Sequence, residues 1–301
     1  MDHDKRGKAG VWLATAAFAW WGLVPIYFKS VATVGALEIL AHRVLWSVPV
    51  AALLVSLNRG WPQLRRDLAN RRVVATLALS AVIVALNWLL FIHSVETGQV
   101  LQSSLGYFIC PLLNVVMGVV FLGERPHRLQ VAAVGLAALG TLNQVVEYGA
   151  VPWLALGMAL SFSVYGLIRK QVAIESLGGL FLETAFLAPL ALAWLVWLQH
   201  AGQLAFIHAG GGMSLLLISA GVVTALPLVW FAAGARRIPL YVLGLLQYIA
   251  PSLQFLLAVL VYDEPLSRAR LVTFALVWSG VVLFVLAGLP AWRTARRIAR
   301  Q

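Results

Sequence analysis

A proline-containing pattern occurs twice in this chain, with its two copies 140 residues apart. Each copy is an apolar segment with a proline near its middle, followed by a glutamate close to another proline and then by a glycine. The corresponding landmarks are Pro111 and Pro251, Glu124 and Glu264, and Gly140 and Gly280. Each half carries about five apolar spans, and after an odd number of crossings the second copy enters the bilayer from the opposite side. The sequence therefore predicts two inverted five-helix repeats, over residues 9–148 and 149–289.

The composition is that of an integral membrane protein. Hydrophobic residues make up 61% of the 301 residues and charged residues 11%, which is too apolar for a soluble globular protein. Segments 73–91 and 271–289 contain no charged side chain over the roughly 18 residues that a membrane-spanning helix requires. The predicted fold class is all-α, with transmembrane helices in a lipid bilayer. The ten predicted spans are residues 9–31, 36–57, 72–95, 100–122, 128–147, 150–172, 180–199, 213–234, 239–262 and 269–289.

The basic residues indicate how the chain is oriented in the membrane. In a soluble protein the net charge of +11 would suggest nucleic acid binding, but here half of the 22 Lys and Arg residues lie in alternate loops. Others lie in two short basic tails, residues 1–8 and 290–301. The outer set is Lys29, Arg268 and Arg270, while Arg43 falls within a span. Because cytoplasmic loops carry the excess of Lys and Arg, we expect both termini in the cytoplasm of a multi-pass bacterial inner-membrane protein, without a nucleic acid partner.

Small and polar residues follow one face of each proline-containing span. In the fourth span they are Ser104, Tyr107, Pro111, Asn114 and Gly118, and in the ninth they are Gly244, Gln247, Pro251, Gln254 and Ala258. Steps of three and four residues place each set on one helical face. Because proline removes a backbone donor, we expect kinks at Pro111 and Pro251 in helices that line a central cavity. The hydrogen-bonding groups offered to a solute would be Tyr107, Asn114, Gln247 and Gln254. Ordinary packing through small residues and amides would give the same spacing.

Charged residues interrupt the apolar pattern of the second span. Glu38 and His42 are four residues apart and share a face, and Arg43 is the next residue along the helix. A lone arginine at depth costs roughly 2.5–3.5 kcal/mol on insertion scales, so we expect Arg43 to face the bundle interior and bind a carboxylate or an anionic solute. Glu38 and His42 are candidates for proton coupling or gating, because imidazole titrates near physiological pH. Glu183, the counterpart of Glu38, is a candidate gate at the opposite end. A structural ion pair is the alternative.

Aromatic and amide side chains complete the set of candidate solute contacts. Trp21 in the first span and Tyr165 in the sixth stand next to glycines at corresponding positions, where each can stack on an aromatic or cationic solute. Tyr248 is expected to enclose the apolar part of a solute, and Asn87 is a polar group deep in the third span. Aromatic residues are also common anchors at the membrane interface, which is the alternative role for Trp21 and Tyr165.

The chain resembles the RarD proteins, a branch of the EamA-type drug/metabolite transporter superfamily. The resemblance runs from about residue 10 to residue 287 and is carried by four ordered motifs at residues 38–43, 87–92, 103–109 and 165–170. It implies ten helices in two inverted five-helix repeats, an inner-membrane location, and export or exchange of small organic solutes by a permease of the chloramphenicol-sensitivity type. Cys110 departs from the expected family pattern, which has asparagine before Pro111.

These patterns favour a secondary transporter of small organic metabolites or drug-like solutes that works by alternating access. Its cavity would lie near the bilayer midplane, lined by spans 1, 2, 3, 4, 6, 8 and 9. An uptake facilitator of the same fold fits the same residues, and protons are candidate coupling ions. An intramembrane enzyme acting on a lipid or peptide would require a carboxylate cluster, a metal pair or an activated serine, and Glu38 and His42 have the wrong spacing for a His-Glu-x-x-His pair. We therefore expect no enzyme activity, metal or cofactor. The sequence does not indicate an oligomeric state.

Overall fold

The computed structural model describes residues 2–97, 99–262 and 268–298, and the regular elements in these ranges are α-helices. In chain order they are α1 (Asp2–Ser30), α2 (Ala36–Leu57), α3 (Trp61–Ala69), α4 (Arg71–Glu96), α5 (Val100–Leu122), α6 (Arg128–Tyr148), α7 (Trp153–Gln171), α8 (Ser176–His200), α9 (Ala205–His208), α10 (Gly211–Ala235), α11 (Leu240–Gln247), α12 (Ile249–Leu260) and α13 (Arg268–Ile298). The predicted all-α membrane fold is confirmed.

Each predicted span is helical, but among the residues that the structure describes only nine of the ten meet the usual length and hydropathy for a membrane crossing, so the count of ten remains a prediction. Within the described ranges, nine helical segments are both long enough and apolar enough to cross a membrane. The sixth predicted span, α7, has 19 residues but is not among the nine. Arg169 and Lys170 at its end lower its mean hydropathy, so composition alone does not qualify it.

The helices pack in an order that repeats between the two halves. α2 packs against α8, α6 against α13, and α5 against α11. α1 contacts α10 and α12, in the same way that α7 contacts α4 and α5. These contacts are expected if the long helices of the two halves correspond in chain order. The pairs are then α1 with α7, α2 with α8, α4 with α10, α5 with α11–α12, and α6 with α13. This correspondence supports the two inverted repeats, whose boundaries remain a prediction.

The repeated glycines Gly140 and Gly280 lie at the contact between α6 and α13. A Cβ atom on Gly140 would lie 2.9 Å from the carbonyl oxygen of Thr273, and one on Gly280 would lie 2.6 Å from that of Ala133. Real Cβ atoms do not approach backbone that closely, so each glycine lets the two helix backbones meet. The sequence landmark thus has a packing reason in both copies.

The two repeated prolines act differently on their helices. The helix of the ninth span is divided at Tyr248, with α11 ending at Gln247 and α12 beginning at Ile249. Gln247 is four residues before Pro251, where the proline ring excludes the usual backbone hydrogen bond. By contrast, α5 continues as one helix through Pro111. The helix is therefore divided near Pro251 and continuous through Pro111, and the kinks expected at both prolines remain a prediction.

Candidate functional site

A cavity of about 580 Å³ lies between helices α1, α2, α4, α5, α7, α10 and α11–α12. These are the seven spans from which the sequence predicts a cavity. It extends from Ala32 and Val34, in the loop between α1 and α2, to Phe162 and Leu228 deep in the bundle. Its volume is in the range of sites for drug-sized molecules. Seven of the predicted site residues lie in its wall: Trp21, Arg43, Asn87, Tyr107, Gln247, Pro251 and Gln254.

Arg43 is held in the cavity wall by neutral groups. Its Nε donates a hydrogen bond to Thr224 Oγ1 at 3.0 Å. The guanidinium carbon lies 5.4 Å from the ring centre of Phe28 and 5.2 Å from that of Trp88, which are cation–π distances. The structural ion pair that the sequence left as an alternative does not include Arg43 among the described residues, and the carboxylate of nearby Glu38 binds the backbone of Ala205 and Phe206. Arg43 therefore faces the cavity without a carboxylate from the described part of the chain.

The deep end of the cavity is aromatic. Trp21 packs against Phe18 and Phe162, with ring centres 5.7 Å apart in each pair. Behind them, the ring of Phe231 stacks nearly parallel to that of Tyr165, at 6.0 Å. Edge and tilted contacts of this kind fix ring positions and leave a rigid apolar surface. Trp21 thus faces the cavity, as one of the two alternatives from sequence proposed, and not the lipid interface.

The amide side chains of the wall are each anchored at one end. Asn87 Nδ2 donates to the carbonyl oxygen of Met158 at 2.8 Å, and Gln254 Nε2 donates to that of Trp21 at 3.2 Å. Gln247 Oε1 accepts a hydrogen bond from Asn114. An amide carries both donor and acceptor groups, so the carbonyl ends of Asn87 and Gln254 remain for a solute, whereas Gln247 also bonds the Cys110 thiol. These anchors fix the orientation in which a bound molecule would meet the amides.

Three residues predicted to contact solute lie behind the cavity wall. Asn114 has no exposed surface, and Tyr165 and Tyr248 are each 1% exposed. The hydroxyl of Tyr248 donates to the carbonyl oxygen of Phe108 at 3.2 Å, which satisfies backbone near Pro111. In this conformation all three support the wall and do not form its surface. The patterns that indicated these residues do not show how far the neighbouring helices cover them.

Glu38 and His42 also lie outside the cavity wall, where they connect helices at one end of the bundle. The Glu38 carboxylate accepts hydrogen bonds from the backbone N–H groups of Ala205 at 3.1 Å and Phe206 at 3.0 Å. His42 stacks on the Phe206 ring and accepts a hydrogen bond from Trp46 Nε1 at 3.2 Å. Both residues therefore fasten the segment that joins α8 and α10. Their predicted roles in proton coupling or gating remain predictions.

Glu183 lies in a buried polar network at the other end of the bundle. Its carboxylate accepts a hydrogen bond from Ser80 Oγ at 2.5 Å and one from the Tyr165 hydroxyl at 3.4 Å. Arg169 Nη1 lies 3.6 Å from Glu183 Oε1, and the side chains are 1% and 3% exposed. Arg169, at the end of α7, is therefore a buried member of this network and not a solvent-exposed residue. The signal for the network was the four-residue step from Tyr165 to Arg169, which places them on one face of α7.

The same end of the bundle is closed by a second carboxylate, which sequence reasoning used only as a landmark. Glu124 accepts hydrogen bonds from the first two backbone N–H groups of α11, at Leu240 (2.7 Å) and Tyr241 (3.1 Å). Lys170 Nζ lies 3.7 Å from Glu124 Oε1 and donates to the carbonyl oxygens of Ala235 and Ile238. A carboxylate at a helix N-terminus is favoured by unpaired N–H groups and by the helix dipole. Glu124 and Lys170 thus join α5, α7, α10 and α11.

Comparisons with known proteins agree with this architecture. Residues 8–143 match the model of the EamA-like transporter family. The chain is 46% identical to an uncharacterized transporter of Vibrio cholerae, over 99% of both chains. It is 44% identical to protein RarD of Escherichia coli, over 98% of this chain and 99% of that one. A solved crystal structure with 19% identity has a TM-score of 0.71 and covers 93% of this chain and 98% of its own, which shows the fold alone.

These relatives make the chain a multi-pass membrane transporter. The full-length similarity covers both halves, including the motifs around Arg43, Asn87, Tyr107 and Tyr165. A transporter of this kind acts on a small-molecule solute and works in a lipid bilayer. The chain belongs to the RarD branch of the EamA-type drug/metabolite transporter superfamily.

Proposed function

We propose that this transporter is a secondary carrier that moves small organic metabolites or drug-like solutes across the bacterial inner membrane by alternating access, as export or exchange. The observation that carries the proposal is the cavity of about 580 Å³, which reaches one end of the bundle while polar networks and close packing occupy the other. A carrier exposes its site to one side at a time, and closure at the opposite end is part of that cycle.

The cavity opens at one end of the bundle. Combined with the predicted orientation of the chain, the position of this opening supports an outward-facing conformation. Ala32 and Val34, at the mouth, belong to the loop that the charge pattern places outside. Glu124 with Lys170, and Arg169 with Glu183, lie at the predicted cytoplasmic end. Gly10 and Gly234 add to the closure, because a Cβ atom on Gly234 would lie only 3.2 Å from the Gly10 carbonyl oxygen. Opening toward the cytoplasm would require these contacts to separate.

The nature of the solute follows from the cavity wall. Aliphatic and aromatic side chains form most of the wall, and its polar groups come from a few anchored amides, the hydroxyls of Ser104, Tyr107 and Thr224, and Arg43. Such a site suits a molecule with a sizeable apolar body and few polar substituents. One relative, from Pseudomonas aeruginosa, is 37% identical and is named chloramphenicol-sensitive protein RarD. Chloramphenicol is therefore a reasonable first probe of drug-like solutes for this chain.

Counterflow in proteoliposomes tests the proposal. Vesicles containing the protein are loaded with unlabelled chloramphenicol, or with a mixed pool of amino acids and metabolites, and radiolabelled tracer is added outside. We expect transient, saturable accumulation of tracer that protein-free vesicles lack, because an alternating carrier exchanges internal for external solute. Repeating the assay with a pH gradient separates proton-coupled transport from exchange or facilitated diffusion.

A matched pair of variants connects transport with the cavity. Gln254 lies in the cavity wall, whereas Gln203 is an exposed residue of the loop between α8 and α9. We expect Gln254→Ala to raise the concentration for half-maximal counterflow and Gln203→Ala to leave it unchanged. Flux that rises linearly with concentration, without counterflow for any solute in the pool, would contradict a carrier mechanism.

A further inference from the structure

We propose that the central cavity is a site for organic anions with an aromatic or bulky apolar body, whose carboxylate or equivalent acidic group binds Arg43. This inference rests on the proposed transport function and names the class of solute that it serves. Three features of the described wall carry it: the charge balance, the setting of the arginine, and the shape of the apolar surface.

The charge balance of the wall is uneven. Among the described residues that line the cavity, Arg43 is the charged side chain, and Asp and Glu do not occur with it. Arginine stays protonated under all ordinary conditions, so the cavity carries one positive charge from its described wall. A charge this deep in a membrane protein is costly to keep and is generally paired or functional. A solute with one negative charge would compensate for it.

The guanidinium group is oriented by the protein but not neutralised by it. Nε donates its hydrogen bond to Thr224 Oγ1, and the rings of Phe28 and Trp88 lie within cation–π distance of the guanidinium group. The structure gives the two terminal nitrogens no acceptor among the described residues. These terminal nitrogens form the planar fork that pairs with two carboxylate oxygens at once. The arrangement is that of a fixed anion receptor at the edge of the cavity.

The rest of the wall selects the body of the anion. Phe18, Trp21 and Phe162 form a packed aromatic surface at the deep end, away from the loop mouth. Aromatic rings in a solute would pack on this surface by edge or offset contacts. A highly hydroxylated molecule such as a sugar would need more hydrogen-bonding groups than the anchored amides Asn87, Gln247 and Gln254 leave available. The wall therefore favours amphipathic anions over sugars or inorganic anions.

Arg43 also determines whether the aromatic surface favours cationic or anionic solutes. Aromatic cages without a neighbouring cation attract quaternary ammonium and other cationic ligands. Here the guanidinium of Arg43 shares the cavity with the rings, so a cationic solute would meet a like charge at low dielectric. Neutral solutes would be tolerated, but they would leave Arg43 without compensation. The order of affinity expected is anion, then neutral molecule, then cation.

Three ligands with one indole ring test this order directly. Indole-3-acetate is an anion, indole-3-acetamide is neutral, and tryptamine is a cation. Binding to the purified full-length protein in detergent is measured by displacement of radiolabelled indole-3-acetate, which does not depend on transport. We expect the acetate to bind at least about 10-fold more tightly than either of the others, since charge-assisted bidentate pairs are about twice as strong as neutral ones.

Substitutions at Arg43 test whether this residue causes the preference for the anionic ligand. Arg43→Gln should reduce affinity for the acetate to that for the amide while leaving affinity for the amide unchanged, and Arg43→Lys should retain part of the preference. Arg66→Gln, at an exposed arginine of α3, is the matched control and should bind like the wild type. The same ligands are then tested as inhibitors and substrates of counterflow.

The outcomes separate the two proposals. If the amide or tryptamine binds the wild type as tightly as the acetate, or if the acetate does not bind, the anion site is refuted, even where Arg43→Gln fails to fold. If Arg43→Gln folds and keeps the preference for the acetate, Arg43 is not the receptor. If the acetate binds in the expected order but counterflow is absent, the anion site stands and the carrier mechanism fails.

Discussion

Asn114 Nδ2 donates a hydrogen bond to Gln247 Oε1 at 2.7 Å, and this bond connects the helices of the two repeated prolines, α5 and α11, inside the bundle. The two residues are buried, with 0% and 5% exposure. Asn114 follows Pro111 by three residues and Gln247 precedes Pro251 by four, so the antiparallel helices meet at opposite sides of their prolines. Gly244 permits the approach, because a Cβ there would lie 2.6 Å from the Pro111 carbonyl oxygen.

Asn114→Ala should destabilise the protein by about 1–2 kcal/mol. The substitution leaves the Gln247 amide without its buried partner, and membrane helix hydrogen bonds are worth up to roughly this amount. Unfolding of the detergent-purified protein measures the effect, with Gln203→Ala as an exposed amide control. A loss no greater than that of the control would mean that the bond contributes little to joining α5 and α11.

The contribution of the buried Arg169–Glu183 pair to the stability of the protein should require both charges. Removing either charge alone leaves the other buried and unpaired, at a cost of about 3–5 kcal/mol, whereas replacing both by apolar residues of similar size is often nearly neutral. We therefore expect Glu183→Met or Arg169→Met to destabilise the protein strongly, and the double variant to recover much of the loss. Thermal unfolding of the four proteins gives the comparison. A double variant that loses as much as the two single variants combined would show that the network around Ser80 and Tyr165 matters more than the charges.

Glu124→Ala should open the end of the bundle that this carboxylate closes. The change removes two hydrogen bonds to the N-terminus of α11 and the ion pair with Lys170. Hydrogen bonds to charged groups contribute about 1.5–3 kcal/mol, which corresponds to about 10-fold or more in the opening equilibrium. With Cys110 changed to serine, labelling of Ala14→Cys, a fully buried position on α1, reports the opening in permeabilised cells. Glu147→Ala, at an exposed carboxylate, is the matched control, and equal labelling rates in the two variants would contradict a closing role for Glu124.

Gly221→Ala should disturb the contact between α10 and α2. A Cβ atom on Gly221 would overlap the backbone carbonyl group of Trp46, and backbone cannot move aside as a flexible side chain can. We expect a loss of about 1–3 kcal/mol. Gly135→Ala is the control, because that exposed glycine of α6 has open space around it and alanine is the better helix former by about 1 kcal/mol. Equal stability of the two variants would mean that α10 and α2 separate without cost.

Labelling of single cysteines should establish the orientation of the cavity. Cys110 is the single cysteine of the chain, so Cys110→Ser provides a cysteine-free background. In intact cells a membrane-impermeant thiol reagent should label Ala32→Cys at the cavity mouth, while Gln63→Cys on α3 should react only after permeabilisation. The expectation follows from the excess of Lys and Arg on the side of α3. The reverse pattern would place the mouth of the cavity in the cytoplasm.

Helical spacing, polar residues at depth and repeat positions together indicated much of the cavity wall, and the three residues that lie behind it share one cause. Trp21, Arg43, Asn87, Tyr107, Gln247 and Gln254 were expected to face a cavity and lie in its wall. Asn114, Tyr165 and Tyr248 follow the same patterns but are covered by neighbouring helices. A step of three or four residues fixes which residues share a face. It does not fix how each helix is rotated and spaced against its neighbours, and that rotation decides whether a side chain lines the cavity or supports its wall.

The sequence by itself determined the fold class, the membrane setting and the paired landmarks, because hydropathy, charge bias and repeat spacing are local properties of the chain. The partners of its charged residues were decided only by tertiary structure. Glu38 and Arg43 are five residues apart, yet Glu38 binds the backbone of Ala205 and Phe206, whereas Arg43 faces the cavity beside Thr224. In a membrane a buried charge takes whichever compensating group the packed helices bring to its depth, and that group comes from elsewhere in the chain.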